Sequence, residues 1–290
     1  MKNFILFFEE KEGTSPLVRL LDHFEQISIV HQVEERGWEP FDRHNCGWLS
    51  SADLDGCFAL LFDKTPPDMD SLNAIYTSRG AAPLDVVDKS GAVGFKMRLV
   101  APSPIESVWI ALSSALHRAD WSYPFASKVV PMLKARDVTV LLAVRQDVFR
   151  WALSKYHGDG TGKPGHLQFK LASGSIKRSD ISRIYVDPRR FEKVLSSCEE
   201  SHGRKRRLMT ELQEAGLRVH PLLYEEFLAD KKSYLTRLLE HLGIRVSPDE
   251  IDAALQQGAY FKKVHSEDIS EFVENHEELI QQFGDRYRSW

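Results

Sequence analysis

The stretch Phe4-Ile5-Leu6-Phe7-Phe8 is apolar throughout and stops at Glu9-Glu10. A run this short with polar flanks fits a buried strand and falls well short of a membrane span or the apolar core of a signal peptide. It gives way to Lys11-Glu12-Gly13-Thr14-Ser15-Pro16, after which Leu17, Leu20, Leu21 and Phe24 keep helical spacing. Pro16 suits the first turn of a helix, where its missing N–H would be unpaired in any case. The unit is therefore strand, glycine turn, helix N-terminus, with hydroxyls and a lysine at the turn. Unpaired N–H groups and the helix dipole make such a turn a potential anion site, although an ordinary strand-to-helix connection carries the same pattern.

The rest of the chain alternates strands and helices. Ile27–Val30, Ala92–Val100, Val138–Val144 and Leu217–Leu223 read as strands. The β-branched and leucine run of Val138–Val144 belongs inside a parallel sheet. Helices are expected over 53–62, 71–79, 129–135, from Arg145 through Tyr156, and over 188–215, 227–242 and 269–283. Another is expected over 104–119, with Ser103 as N-cap and Pro104 at the first position. His157–Leu167, rich in glycine, reads as a loop. The expectation is one α/β domain spanning 1–290, a P-loop-like doubly wound parallel sheet with helices on both faces.

Composition narrows the function. The 290 residues are 42% hydrophobic, enough for a large α/β core. A formal net charge of −4 argues against a general nucleic-acid binder, so an anionic ligand needs a local basic pocket. Cys46, Cys57 and Cys198 are too few and scattered for a disulfide framework. His44-Asn45-Cys46 with Cys57 matches no common zinc spacing, so no metal is expected. With no candidate membrane span, the expected location is the cytoplasm.

Two glycine clusters need separating from nucleotide motifs. Gly158, Gly160, Gly162 and Lys163 look superficially like a P-loop, but His157 stands where the first glycine belongs and Pro164 replaces the magnesium-binding hydroxyl. The first loop also lacks the Gly-Lys-Ser/Thr ending, which disfavours a kinase or triphosphatase.

Taken in order, several segments resemble the sulfotransferases that use 3′-phosphoadenosine 5′-phosphosulfate (PAPS). Lys11-Glu12-Gly13-Thr14-Ser15, ahead of Leu20-Leu21-Asp22, is similar to the family's 5′-phosphosulfate loop. Val144-Arg145-Gln146-Asp147, with Ser154-Lys155-Tyr156 one helix later, looks like its 3′-phosphate site, where arginine and serine clamp one phosphate. Leu222-Leu223-Tyr224-Glu225-Glu226-Phe227-Leu228-Ala229-Asp230, running to Gly243, is similar to the Tyr-Glu-Asp-Leu tail of bacterial and tyrosylprotein-type members. Lys262-Lys263-Val264 before Asp268 also fits the pattern. Two departures stand out: Glu12 occupies the usual serine position, and Ser154 lies one residue later than the commonest spacing.

The resemblance implies transfer of a sulfuryl group from PAPS to a hydroxyl or amine, leaving adenosine 3′,5′-bisphosphate (PAP). It implies that residues 11–15 hold the 5′ end of the cofactor, and that Arg145 and Ser154 hold its 3′-phosphate. A fork of arginine donors onto phosphate suits that role; pairing with Asp147 is the ordinary alternative. Lys11, with Lys96, would stabilise charge on the leaving phosphate, unless Lys96 is a strand lysine turned to solvent. Where many members place a histidine base, the strand offers Lys96-Met97-Arg98, and arginine is no base at neutral pH. The expected base is Glu34, with Glu35 the alternate and His31 third. Arg204-Lys205-Arg206-Arg207 is expected to be a solvated face, or else to reach the cofactor's 3′-phosphate or an acidic acceptor. Trp38 and Trp48 flank a segment that would line an acceptor pocket for a small-molecule, carbohydrate or peptide hydroxyl. A catalytically inactive nucleotide-binding protein of the same fold is the alternative reading, and a nucleotide kinase a distant third.

Overall fold

The computed structural model describes residues 2–32, 51–78, 83–86, 91–99, 124–160, 183–257, 268–284 and 290. The expected helix over 104–119 and the segment Lys262–Val264 lie outside these residues, as do Cys46 and four of the tryptophans. Among the described residues the centre is a five-stranded sheet in the order β2-β5-β1-β6-β7. Its strands are β1 (Phe4–Phe8), β2 (Ile27–Ile29), β5 (Ala92–Arg98), β6 (Thr139–Val144) and β7 (Val219–Leu223). All four pairings are parallel. Two further short strands, β3 (His31–Gln32) and β4 (Leu84–Asp85), form a separate antiparallel pair.

The central strand shows why the sheet is covered on both faces. Ile5 and Phe7 enter one apolar cluster; Phe4, Leu6 and Phe8 enter the other, and every one of these side chains is buried. Strand β6 divides the same way, Val140, Leu142 and Val144 against Leu141 and Ala143. A strand with apolar residues on both sides needs a helical layer on each. One layer is built from α2 (Ser51–Phe62), α3 (Met69–Ser78), α4 (Pro124–Ala135) and the end of α6 (Pro188–Glu214). The other is built from α1 (Thr14–Asp22), α7 (Tyr224–Ala229), α8 (Lys231–His241) and α9 (Pro248–Gln257). A third cluster joins α5 (Val148–Gly160), the first half of α6 and α10 (His276–Phe283).

Local chemistry revises several expected boundaries. The helix expected over 227–242 is two helices, because Asp230 leaves the helical region at φ −148° and caps α8 by accepting the Ser233 N–H at 3.0 Å. The helix expected over 269–283 is a 3-10 turn at Ile269–Glu271 followed by α10. His157–Gly160 continues α5 instead of opening a loop. Helix α9 has no expected counterpart, yet Ser247 and Glu250 cap its start reciprocally, each side chain accepting the other's N–H at 3.2 and 2.7 Å. Among the described residues no helix is long and apolar enough to cross a membrane.

Candidate functional site: the carboxyl ends of β1, β5, β6 and β7

In a parallel sheet the strands end together, and ligands of open α/β sheets bind beyond those ends. Here the shared edge carries the loop 9–13 after β1, Arg98 at the end of β5, Arg145 after β6, and Tyr224-Glu225 after β7. The loop turns twice through positive φ, at Lys11 (65°) and Gly13 (74°). Gly13 is the N-cap of α1 and offers no side chain to its first turn. The N-terminal N–H groups of α1 therefore have no side-chain cap, the state that favours an anion. Gly13 is fixed by crowding as well as by φ: a Cβ here would sit 2.5 Å from Tyr224 Cδ2 and closer still to Cε2.

Cations approach the loop from both neighbouring strands. Lys96, in the middle of β5, is buried; its Nζ lies 4.4 Å from the Phe8 ring centroid and donates to Ser15 Oγ at 3.0 Å. It does not point to solvent. Arg145 donates from Nη1 to Ser154 Oγ and to the Lys11 carbonyl, both at 3.0 Å, and lies 5.0 Å above the Tyr224 ring. Its Nε is buried without a hydrogen-bond partner. Asp147 is not its counter-ion, since that carboxylate pairs with Arg150 at 3.1 Å and accepts the Arg150 N–H at 2.8 Å. The turn bearing Arg145 is held by Glu225, whose two oxygens accept the Gln146 and Asp147 N–H groups, each at 3.0 Å.

The structure thus brings together Gly13, Thr14, Ser15, Lys96, Arg145 and Ser154. Lys11 is exposed on the loop and contributes its carbonyl to Arg145. Glu34, Glu35, Trp38 and Trp48 lie outside the described residues. His31 sits in the β3–β4 pair, with Nδ1 3.2 Å from the Ile29 carbonyl.

Glu12 does not face outward from the loop after β1. It is buried, accepts the Glu9 N–H at 2.7 Å and is ion-paired with Lys205 of α6. Burial pushes its carboxyl up to about 7, with Lys205 opposing that rise and Glu9 adding to it. Lys205 belongs to the basic run expected to be solvated, yet it is fully buried and also donates to the Ala143 carbonyl at 3.0 Å. Arg204, beside it, pairs with Glu200 at 3.6 Å, and Arg206 lies 5.8 Å from the Trp290 ring. The reason is register: Lys205 falls on the stripe of Phe191, Leu195, Cys198, Leu208 and Leu212 that α6 buries. That spacing is the sequence signal for a residue the charge run conceals. Glu225 falls within a motif that assigns it no role, and nothing in its local sequence reveals the β6 turn it holds.

No family model matches the sequence, and no curated protein matches it significantly. Among solved structures, the chain is similar to a sulfotransferase from Mycobacterium avium (14% identity, 98% of this chain and 75% of that one, TM-score 0.41). It is also similar to a sulfotransferase from Alicyclobacillus acidocaldarius (18%, 89% and 92%, 0.38). A third is the sulfotransferase domain of the Synechococcus PCC 7002 olefin synthase (11%, 98% and 96%, 0.40). At these identities and scores the likeness carries no weight for the chemistry, which has to come from the residues themselves.

Proposed function

We propose that the chain is a sulfotransferase that binds PAPS at the carboxyl edge of the sheet and transfers its sulfuryl group to a hydroxyl acceptor. The observation that carries this reading is the Arg145 arrangement. One guanidinium joins the loop carbonyl of Lys11 to Ser154 and keeps a buried, unpartnered Nε at the edge of the uncapped α1 N-terminus. A buried donor without a partner costs free energy unless a ligand satisfies it, and a phosphate oxygen fits its charge and fork geometry. Ser154 Oγ is oriented by its own donation to the Arg150 carbonyl at 2.9 Å.

PAPS supplies an SO3 group on a phosphate leaving group; the chain positions it and stabilises charge. Lys96, in its buried and low-dielectric setting, is the cation on the 5′ side, and the first N–H groups of α1 are the neutral donors. Residues 11–15 would take the 5′ end and Arg145 with Ser154 the 3′-phosphate. Glu34 is proposed as the base that removes the acceptor proton.

Calorimetric titration with PAP, with ADP and ATP–magnesium alongside, tests this. Selective PAP binding that Arg145→Ala abolishes supports the assignment, and an acceptor screen with PAPS then separates an enzyme from a binding protein. Equal or preferred binding of ATP–magnesium would sink it.

A further inference from the structure

The loop after β1 carries three carboxylates, Glu9, Glu10 and Glu12, at a turn whose free backbone donors suit an anion. Like charge this close would repel such a ligand. Each carboxylate is met by a cation from a different element. Glu9 pairs with Lys155 of α5 at 3.2 Å and also accepts from Ser201 Oγ; Glu10 pairs with Arg98 of β5. Glu12 pairs with Lys205 of α6, and only this pair is buried on both sides: Lys205 is 0% exposed and Glu12 3%. Lys205 also grips the Ala143 carbonyl, two residues before Arg145, so one ammonium ties the loop to the strand that carries the arginine.

We propose that Lys205 is a positioning residue of the anion site, neutralising Glu12 and fixing the loop against the end of β6, without touching the ligand itself. This rests on the anion-binding reading above. Lys205 already holds a carboxylate and a backbone carbonyl beneath the loop, so its charge is committed within the fold. Above the pH at which Glu12 protonates, removing Lys205 alone leaves an uncompensated carboxylate beneath the loop, whereas removing both charges leaves none. A direct ligand would behave differently, because its loss could not be repaired by changing Glu12. A titrating pair also has a pH signature. Glu12 faces Lys205 from α6 and Glu9 from its own loop, with Lys155 beyond Glu9. Protonation of Glu12 leaves the Lys205 charge unbalanced in favour of an anion.

The test is PAP titration of wild type, Lys205→Met and Glu12→Gln/Lys205→Met, with folding checked by thermal unfolding. Lys205→Met should weaken binding about tenfold or more, and the double variant should return to within about threefold of wild type. The ratio of wild-type to double-variant affinity should rise as pH falls from about 8 to 6. Should Lys205→Met fail to fold, recovery of both folding and binding in the double variant supports the proposal equally. Unchanged binding in Lys205→Met, a double variant that folds but binds weakly, or a pH-independent ratio would each overturn the proposal. Absence of PAP binding in the wild-type chain would instead overturn the anion-site reading beneath it.

Discussion

Gly13→Ala is the sharpest probe of the loop, because its cost divides into two separable parts. At φ 74° an alanine occupies the left-handed region, at about 1–2 kcal/mol. Its Cβ also collides with the Tyr224 ring, 2.5 Å from Cδ2 and 3.3 Å from Cζ. Overfilling a packed contact typically costs about 1–3 kcal/mol. Together these amount to about 3 kcal/mol, or a fall in Tm of roughly 5 °C for a chain of this size. Tyr224 also lies beneath Arg145, so displacing the ring should weaken PAP binding as well as stability. A thermal-unfolding cycle of Gly13→Ala, Tyr224→Ala and the double variant separates the parts. In the Tyr224→Ala background the collision is gone, and the alanine should cost only the backbone share, about 1–2 kcal/mol, for a coupling of about 1–2 kcal/mol. Equal penalties in both backgrounds would show that Tyr224 does not crowd the glycine, and the steric reasoning would fail.

Other outcomes follow from the same edge of the sheet. Lys96→Met keeps the buried length and removes the charge, so stability should hold while PAPS turnover falls about 100-fold or more; steady-state kinetics decide it, and unchanged kcat/KM would remove Lys96 from the site. Glu225→Ala strips two N–H groups of their acceptor and should cost about 2–3 kcal/mol in denaturant unfolding together with PAP affinity, whereas a loss under about 0.5 kcal/mol would mean water replaces the carboxylate freely. For Glu12 the carboxyl is raised in the fold from 4.5 to about 7, so the native state binds its proton more tightly than the unfolded chain. Its contribution is complete below about pH 4.5 and is lost as pH rises through about 7. Relative to Glu12→Gln, wild-type stability should therefore decline between about pH 5 and 7 and level off above; a rising difference would show that the ion pair dominates burial.

The opening strand, its turn and α1 were legible because period and punctuation agree: Phe4–Phe8 is apolar on both faces, and Pro16 marks the first helical turn. The pairing of Arg145 with Ser154 was legible only through the family resemblance, which sets an arginine at a strand end and a serine on the next helix; the two side chains do meet. What escaped was long-range partnership. Glu12 looked like an acid spoiling an anion loop, and Lys205 like one charge in a solvated run. Their contact crosses 193 positions, and no local pattern registers it. The break at Asp230 escaped for another reason: apolar spacing runs through it, and only the cap geometry shows one helix ending and the next beginning.

The strand order also bears on how the molecule is made. The central strand is the first in sequence, and its two neighbours, Ala92–Arg98 and Thr139–Val144, come far later. At roughly 5–20 residues per second, the ribosome takes on the order of ten seconds to deliver the second neighbour. Until Arg98 is made Phe-Ile-Leu-Phe-Phe has neither edge paired, and until Val144 is made one edge stays open, with no charge or proline within the run to deter association with another nascent chain. Yield on expression should therefore depend on chaperone supply and translation speed, and fragments ending before Val144 should aggregate instead of folding partway.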